Sequence, residues 1–216
     1  MSRTWMTRTR LRFREVKTAM KIPVSSILPG KEIMYRETRC MVLEHRQDGV
    51  LLLAMPYVKS VFGKTNDFAA SELRDLLNGP YLDRLTQGHT GEIIARTVDL
   101  TALNGSKQYE TCLCMVAPLT LDEIRKYHAI LPKPEVWDWS VTPWSTPNVD
   151  EDDTWVLGLY TNGGISVSYC TGTHGARPAF LLPPSYAVET EEDPLAQYST
   201  EALAAEVHRR IAAEKE

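Results

Sequence analysis

Two stretches of this chain alternate hydrophobic and polar positions in the period of a β-strand. Residues 37–45 and the apolar run at residues 50–55 flank an Asp-Gly pair, a pattern that predicts a β-hairpin. Residues 155–170, WVLGLYTNGGISVSYC, are centred on Asn162-Gly163, which is the strongest short-range signal for a tight hairpin turn. The sequence therefore predicts two antiparallel strand pairs far apart in the chain.

Other segments have the period of an amphipathic helix. One predicted helix begins at Asn66 or Asp67 as the N-terminal cap. A second begins at Thr120, where Glu123 has the spacing of a capping box. A third covers residues 199–213, with apolar residues four positions apart.

Further strands are predicted at residues 92–100, 112–119 and 178–182. The order is strands, then helices, then strands, and no internal repeat is apparent. This order predicts an α+β domain rather than a regular series of parallel βαβ units.

Charge divides the 216 residues into three parts, although the net charge is only −4. Residues 1–20 are predicted to be a basic N-terminal arm, since residues 1–21 hold seven basic residues and one acid. Residues 21–186 are predicted to form the folded domain. Residues 187–216 hold eight acids and three bases and are predicted to be an acidic linker followed by the C-terminal helix.

The sequence predicts a protein that is cytoplasmic when made. No apolar run reaches the roughly 18 residues that a membrane span needs. The N-terminus lacks the hydrophobic stretch of a signal peptide, so the protein is expected to act where it is made or to leave by cell lysis or a dedicated machine, with association with a virion as an alternative. The acidic balance argues against nucleic acid as the partner, although the basic arm has the chemistry for phosphate contacts.

Four segments fit one family pattern in order and spacing: residues 61–79, 113–128, 137–144 and 157–182. They contain the elements S-x-L-R-x-x-L-N-G, W-x-W and G-x-R-P-A. Together they resemble an uncharacterised domain family of phages, prophages and gut Firmicutes. The resemblance covers roughly residues 22–184.

That family is similar to C-type-lectin-like folds, which include formylglycine-generating enzymes and the variable proteins of diversity-generating retroelements. The resemblance implies twisted antiparallel sheets, two short helices and a loop-rich half that contains the tryptophans. It also implies that the termini meet, with a strand near Ile33–Leu43 close to residues 178–182. Two departures are that Trp139–Pro143 lacks the family's usual arginine and that no catalytic cysteine pair matches.

The resemblance implies a fold and leaves the function open. Because no reactive residue has a recognisable activating neighbour, the sequence favours a non-catalytic binding or structural module from a phage or prophage, acting in a virion or in display, that binds a protein or a glycan. One alternative is a phage inhibitor or regulator of a host protein. Another is an enzyme derived from the formylglycine-generating scaffold. No standard catalytic motif occurs in the chain, so no catalytic residue is predicted.

A polar ligand-binding face is predicted on and beside the second hairpin. Hydroxyl groups and tyrosines give adaptable hydrogen bonds and rigid contact area at low entropic cost. The predicted ligand-binding residues are Trp144, Tyr160, Thr161, Ser166, Ser168, Tyr169, Thr171, Thr173 and His174. The predicted apolar support beneath them is Leu157, Leu159, Ile165 and Val167. The alternative is an ordinary solvated hairpin face.

Two arginines and two tryptophans are predicted to be structural. Arg177 is expected to pin the last strand by a bidentate contact to a carboxylate or to loop carbonyls, and a ligand clamp is the alternative. Arg74 is expected to act similarly at a helix surface. Trp139 and Trp155 are expected inside the fold, with Trp144 on its surface.

No metal ligand or cofactor is predicted. Cys112 and Cys114 share one face of a predicted strand and are expected to be buried, reduced thiols. Calcium is a weaker alternative at Thr146–Asn148 and the acidic run that follows. Homo-oligomers or virion assembly are expected to use the N-terminal arm or the C-terminal helix.

Overall fold

The computed structural model describes residues 20–150, 152–190 and 198–213, and it has the α+β architecture that the sequence predicts, with mostly antiparallel sheets. Its strands are β1 Met20–Pro23, β2 Glu32–Tyr35, β3 Thr38–His45, β4 Val50–Ala54, β5 Val58–Val61, β6 Arg96–Asp99, β7 Thr111–Cys114, β8 Val116–Ala117, β9 Asp138–Pro143, β10 Trp155–Leu159, β11 Ile165–Tyr169, β12 Thr173–Ala176, β13 Ala179–Leu182 and β14 Ala187–Thr190. Its helices are α1 Glu72–Leu76, α2 Leu82–Thr86, α3 Leu121–Tyr127, α4 Pro147–Asp150 and α5 Thr200–Ala213.

The first large sheet has the strand order β2-β3-β4-β13-β8. The predicted hairpin is confirmed as β3 and β4, which pair antiparallel from Cys40 opposite Ala54 to His45 opposite Val50. The late strand β13 pairs with β4 along Ala179–Leu182. The beginning and end of the domain therefore share one sheet as expected, with β4 inserted between β3 and β13.

The second large sheet has the order β11-β10-β9-β12-β5. The predicted Asn-Gly hairpin is confirmed as β10 and β11. The strands β5, β9 and β12 lie beyond it, and β12 meets β9 in a parallel contact between Gly175 and Asp138. This sheet carries most of the residues that the sequence singles out, and β11 forms its edge.

Two short ladders complete the described strands. One joins β6 to β7. The other joins β1 to β14, with Met20 opposite Thr190 and Pro23 opposite Ala187. The predicted N-terminal arm lies outside the described residues except for Met20. Its predicted role, and the proposed division of the chain into three parts, stay predictions.

The helices begin where local capping chemistry permits. The α3 capping box is confirmed, since the Thr120 hydroxyl accepts a hydrogen bond from the Glu123 amide and the Glu123 carboxylate accepts one from the Thr120 amide. The first helix differs from its prediction. Asp67 caps a short 3-10 turn, and Ser71 caps α1 through a 3.0 Å bond from the Arg74 amide.

Two groups of buried side chains hold the layers together. The larger lies between the first sheet, the helices α1 and α2, and one face of the second sheet. The smaller joins β3, β4 and β13 to helix α3 and to Leu159 of β10. The burial of apolar area in these two groups is the main stabilising contribution that positions the β10–β11 hairpin.

Candidate functional site

The β10–β11 hairpin is built by its turn. Gly163 has a φ of +88°, a conformation that favours glycine, and the Asn162 side-chain oxygen accepts a 2.8 Å hydrogen bond from the Gly164 amide. The Tyr160 amide donates to the Gly164 carbonyl at 2.7 Å, closing the ladder above the turn. These contacts fix the register of every side chain on the hairpin.

One face of the hairpin is apolar, with Leu157 and Leu159 buried along β10 and the side chains of β11 open to solvent. The ladder places Trp155 opposite Tyr169, Leu157 opposite Val167 and Leu159 opposite Ile165. Residues that face each other across an antiparallel ladder project from the same side of the sheet. Because β11 is an edge strand, its apolar side chains lie beyond the cover that buries Leu157 and Leu159.

The prediction that four apolar residues form a buried base beneath the polar face therefore needs a correction. Leu157 and Leu159 are buried as expected, but Ile165 is 50% exposed and Val167 is 36% exposed. They are exposed because they lie at the rim of the sheet. The face on which they lie is a solvent-exposed apolar surface rather than a buried base.

Three aromatic residues occupy neighbouring positions at one end of the hairpin. The Trp144 amide donates to the Trp155 carbonyl at 3.0 Å, next to the pairing of Val156 with Pro143, so Trp144 lies beside Trp155. The rings of Trp155 and Tyr169 are stacked with centroids 3.8 Å apart. Trp144 is 46% exposed, Tyr169 is 55% exposed, and Trp155 is half-buried rather than fully inside. Here "the hairpin face" means Trp144, Trp155, Ile165, Val167 and Tyr169.

The opposite face of the hairpin holds a hydroxyl–imidazole pair. Ser168 Oγ and His174 Nε2 share a hydrogen bond of 2.8 Å. The His174 ring packs against Trp137 and Trp139, with centroids 4.4 and 4.9 Å away. Partial burial lowers the pKa of His174, so the imidazole is neutral near pH 7.

The Ser168–His174 pair lacks the third member of a catalytic triad. Across residues 20–150, 152–190 and 198–213, no carboxylate forms a hydrogen bond with His174. Such an orienting group is what lets an imidazole act as a general base in hydrolases. The pair therefore supports a packing role more directly than a catalytic one.

Close packing on this second face depends on a glycine. A Cβ atom at Gly158 would lie 2.3 Å from the Trp137 ring and 2.5 Å from the Asp138 carbonyl oxygen. The indole thus occupies the space of the missing side chain. This contact holds Trp137 beside His174 and fixes the spacing between β9 and β10.

The predicted ligand-binding residues do not share one surface. Ser166 and Ser168 are half-buried on the hydroxyl–imidazole side, whereas Trp144 and Tyr169 belong to the hairpin face. The remaining exposed members lie in the turns around the hairpin: Tyr160, Thr161, Thr171 and, at the start of β12, Thr173. A ligand that spans all of them would have to wrap around the sheet edge.

Arg177 is 3% exposed and has the kind of partners that its predicted role requires. Its Nε donates to Asp138 Oδ2 at 2.6 Å, and its backbone amide donates to Oδ1 at 2.9 Å. One terminal nitrogen donates to the Pro132 carbonyl at 3.0 Å, and the guanidinium lies 5.7 Å from the Tyr57 ring centroid. These contacts join the end of β12 to the start of β9 and to the preceding loop.

The other predicted structural residues lie in varied surroundings. Arg74 is one-third exposed and donates to the Cys112 sulfur at 3.3 Å. Trp139 is 2% exposed, and its indole nitrogen donates to the Ser60 carbonyl at 3.2 Å. Cys112 and Cys114 are buried free thiols on β7, as predicted.

A network of charged side chains lies between the first sheet, helix α3 and β6, and no sequence motif predicts it. Buried Arg96 donates to Glu123 at 2.9 Å, and Arg46 reaches the same carboxylate at 2.9 Å. Glu44 accepts from Arg46, Tyr127 and Lys126. Burial favours a raised pKa for Glu44, but these hydrogen bonds outweigh it and lower the pKa to about 2.

Metal and membrane sites receive no support from the described residues. Within them, no group of three or more histidine, cysteine, aspartate or glutamate side chains is placed to hold a metal ion. The Thr146 hydroxyl bonds to Ser106 and Asn148 rather than facing an open calcium position. None of the described helices is long and apolar enough to cross a membrane.

No family model, curated protein or solved structure matches this chain. The function is therefore inferred from the geometry of the hairpin and its surroundings.

Proposed function

We propose that this chain is a non-catalytic binding module whose hairpin face binds a protein partner. The observation that carries the proposal is the group of exposed Trp144, half-buried Trp155 and exposed Tyr169 at one end of the hairpin. Tryptophan and tyrosine provide most of the energy in protein interfaces, because they bury large rigid surfaces at low entropic cost. The aliphatic side chains of Ile165 and Val167 extend this group and favour a protein over a glycan.

The chemistry of the partner follows from the charge around the face. Asp150 is exposed and Asp152 is half-exposed, and both lie in the chain segment that leads into Trp155. Like charges placed against this rim would be repelled, so the partner should offer basic side chains around an apolar centre. The polar turn residues Tyr160 and Thr161 would contribute hydrogen bonds at the opposite end.

The proposed fold is C-type-lectin-like. Its support is the pairing of the first and last domain strands, β1 with β14, and the location of the tryptophans in the loop-rich half around β9 and β10. A phage or prophage origin, a virion or display role, and the inhibition of a host protein are the settings in which we propose that such a module acts.

The test uses the full chain and a displayed random-peptide library. We expect selection to enrich peptides that combine aromatic or aliphatic residues with Lys or Arg. Binding should fall by at least about tenfold in a Trp144→Ala, Tyr169→Ala variant. The matched control is Leu103→Ala, an exposed apolar residue outside the hairpin.

Equal binding of the selected peptides to both variants would refute the proposal. A glycan array run on the same protein distinguishes the second ligand class. Specific glycan binding that is lost in the Trp144 and Tyr169 variant, with no peptide enrichment, would replace a protein partner with a glycan.

A further inference from the structure

The edge of β11 presents backbone amides that the β10–β11 ladder does not use, whereas the Tyr169 carbonyl already accepts a 2.8 Å hydrogen bond from the Gly172 amide. The Cys170 amide donates to the Thr154 carbonyl, and the Gly164 carbonyl accepts from Tyr160, so alternate residues of β11 point their backbone groups toward β10. By this alternation the amides of Ile165, Val167 and Tyr169 point away from the sheet. Among the described residues, β11 has β10 as its sole strand neighbour.

Within the part of the chain that the structure describes, this edge lacks the features that block strand addition. Natural edge strands are protected by charged side chains, prolines, bulges or a covering segment. The sequence of β11, ISVSY, has neither a charge nor a proline, and its pairing with β10 is regular over five residues. By contrast β5, at the other edge of the same sheet, carries Lys59. The structure thus leaves β11 open to an added strand.

The N-terminal arm has a matching sequence pattern. Residues 7–14, TRTRLRFR, alternate strictly between arginine and an uncharged residue, in the period of a β-strand. The sequence of β11 alternates apolar residues with serine in the same period. Pairing in one register would place Leu11 and Phe13 beside the apolar side chains of β11 and the arginines on the serine side.

Charge favours the same pairing. The chain holds 24 basic and 28 acidic residues, of which residues 1–21 account for seven and one, so the remaining 195 residues carry 17 basic and 27 acidic residues. The arm is therefore strongly basic and the rest of the chain is strongly acidic. Exposed Asp150 and partly exposed Asp153 lie near the end of the hairpin where Trp155 pairs with Tyr169. Opposite charges of this kind accelerate encounter and fix register.

We infer that residues 7–14 of a second copy add as a strand to β11, and that this contact assembles the protein into oligomers. The inference rests on the proposed function in that both use the β10–β11 hairpin. The arm departs from β1, which pairs with β14 beside the first sheet, whereas β11 is the edge of the second sheet. Two copies that exchange arms reciprocally would close a two-fold dimer, and a contact in one direction would form larger rings or open chains.

Two full-chain variants separate the edge from the arm. Val167→Pro removes an outward-pointing amide that the β10–β11 ladder does not use, so it should block strand addition while the domain still folds. Val167→Thr is the matched control, because it keeps the amide and the β-branched shape. Leu11→Asp with Phe13→Asp removes the apolar half of the arm pattern and leaves the edge intact.

Sedimentation velocity over a concentration series gives the decisive measurement. We expect the wild type and Val167→Thr to associate reversibly as concentration rises, and the edge and arm variants each to remain monomeric. A mixture of the edge variant with the arm variant should form a 1:1 dimer, because one supplies an intact arm and the other an intact edge.

Three results would overturn the inference. They are a wild type that is monomeric at all concentrations, an arm variant that associates like the wild type, and a mixture that stays monomeric. If Val167→Pro fails to fold, as judged by near-UV circular dichroism, the first two results decide, because they need only the wild type and the arm variant. Peptide selection on the hairpin face would still succeed in the monomeric arm variant, whose substitutions lie outside that face, so failure of this inference is distinguishable from failure of the proposed binding function.

Discussion

Replacing Arg177 with Met tests whether this residue pins the fold or holds a ligand. The substitution keeps an unbranched apolar side chain and removes the charge. It would leave the Asp138 carboxylate, whose side chain is 7% exposed, with the Arg177 backbone amide as its remaining donor among the contacts described here. The Pro132 carbonyl would lose its 3.0 Å donor, and the contact with the Tyr57 ring would be lost as well.

The expected loss of stability arises because the Asp138 carboxylate would stay buried without its charged partner. Removing one partner of a buried ion pair costs about 3–5 kcal/mol, because the other charge stays buried without compensation. For a domain of this size, each kcal/mol lowers the melting temperature by about 2–4 °C, so Arg177→Met should lower it by roughly 6–20 °C. Equilibrium urea unfolding, followed by tryptophan fluorescence, measures the change in the free energy of unfolding directly.

A double-mutant cycle identifies the cause. Asp138→Asn removes the charge and keeps an acceptor for the Arg177 backbone amide. We expect the double variant to be more stable than Arg177→Met alone, with a coupling free energy of about 1–3 kcal/mol between the two side chains. If Arg177→Met unfolds at the wild-type urea midpoint and loses binding of selected peptides, Arg177 is a ligand clamp and the pin interpretation is wrong.

Three further predictions concern other parts of the fold. The pKa of Glu44 is lowered from 4.5 to about 2, so its stabilising contribution is complete above pH 4.5 and is lost as the pH falls toward 2. Glu44→Gln should therefore weaken the loss of stability between pH 4.5 and pH 2, as measured by urea unfolding. Gly158→Ala should destabilise the protein by about 1–3 kcal/mol or more, because the Trp137 ring already fills the space. The control Gly91→Ala, with no neighbouring atom within 4 Å, should be nearly neutral when both variants are unfolded by heat. Replacing Cys112 and Cys114 together with Ser should cost about 1–3 kcal/mol without changing peptide binding, and stoichiometric zinc in the wild type that is lost in this variant would contradict their structural role.

Local signals explain why some elements could be predicted from the sequence. The Asn162-Gly163 turn and the Thr120–Glu123 capping box each act within a few residues, and the structure confirms both. The prediction that this helix begins at Asn66 or Asp67 is wrong for α1, because Asp67 and Ser71 are both good N-terminal caps and Ser71 caps α1. The 3-10 turn that separates them was not apparent from the spacing of apolar residues.

Tertiary relationships account for what the sequence could not predict. Arg177 bonds to Asp138, 39 residues earlier in the chain, and no spacing rule identifies that partner. The exposure of Ile165 and Val167 depends on β11 being the edge of its sheet, which is a property of the complete strand order. The hydrogen bond between Ser168 and His174 spans the turn between β11 and β12, and no sequence motif indicates it.

The ladder between β1 and β14 has a mechanical consequence. Met20 pairs with Thr190, so the amino end of β1 and the carboxyl end of β14 lie at the same rung of one short antiparallel ladder. Tension applied at Met20 and Thr190 would open this ladder one rung at a time, instead of shearing all of its hydrogen bonds together. The large sheets would feel no load until those four pairs had separated. Force applied at these two residues therefore loads one end of a short ladder, and β1 and β14 should separate before the rest of the fold.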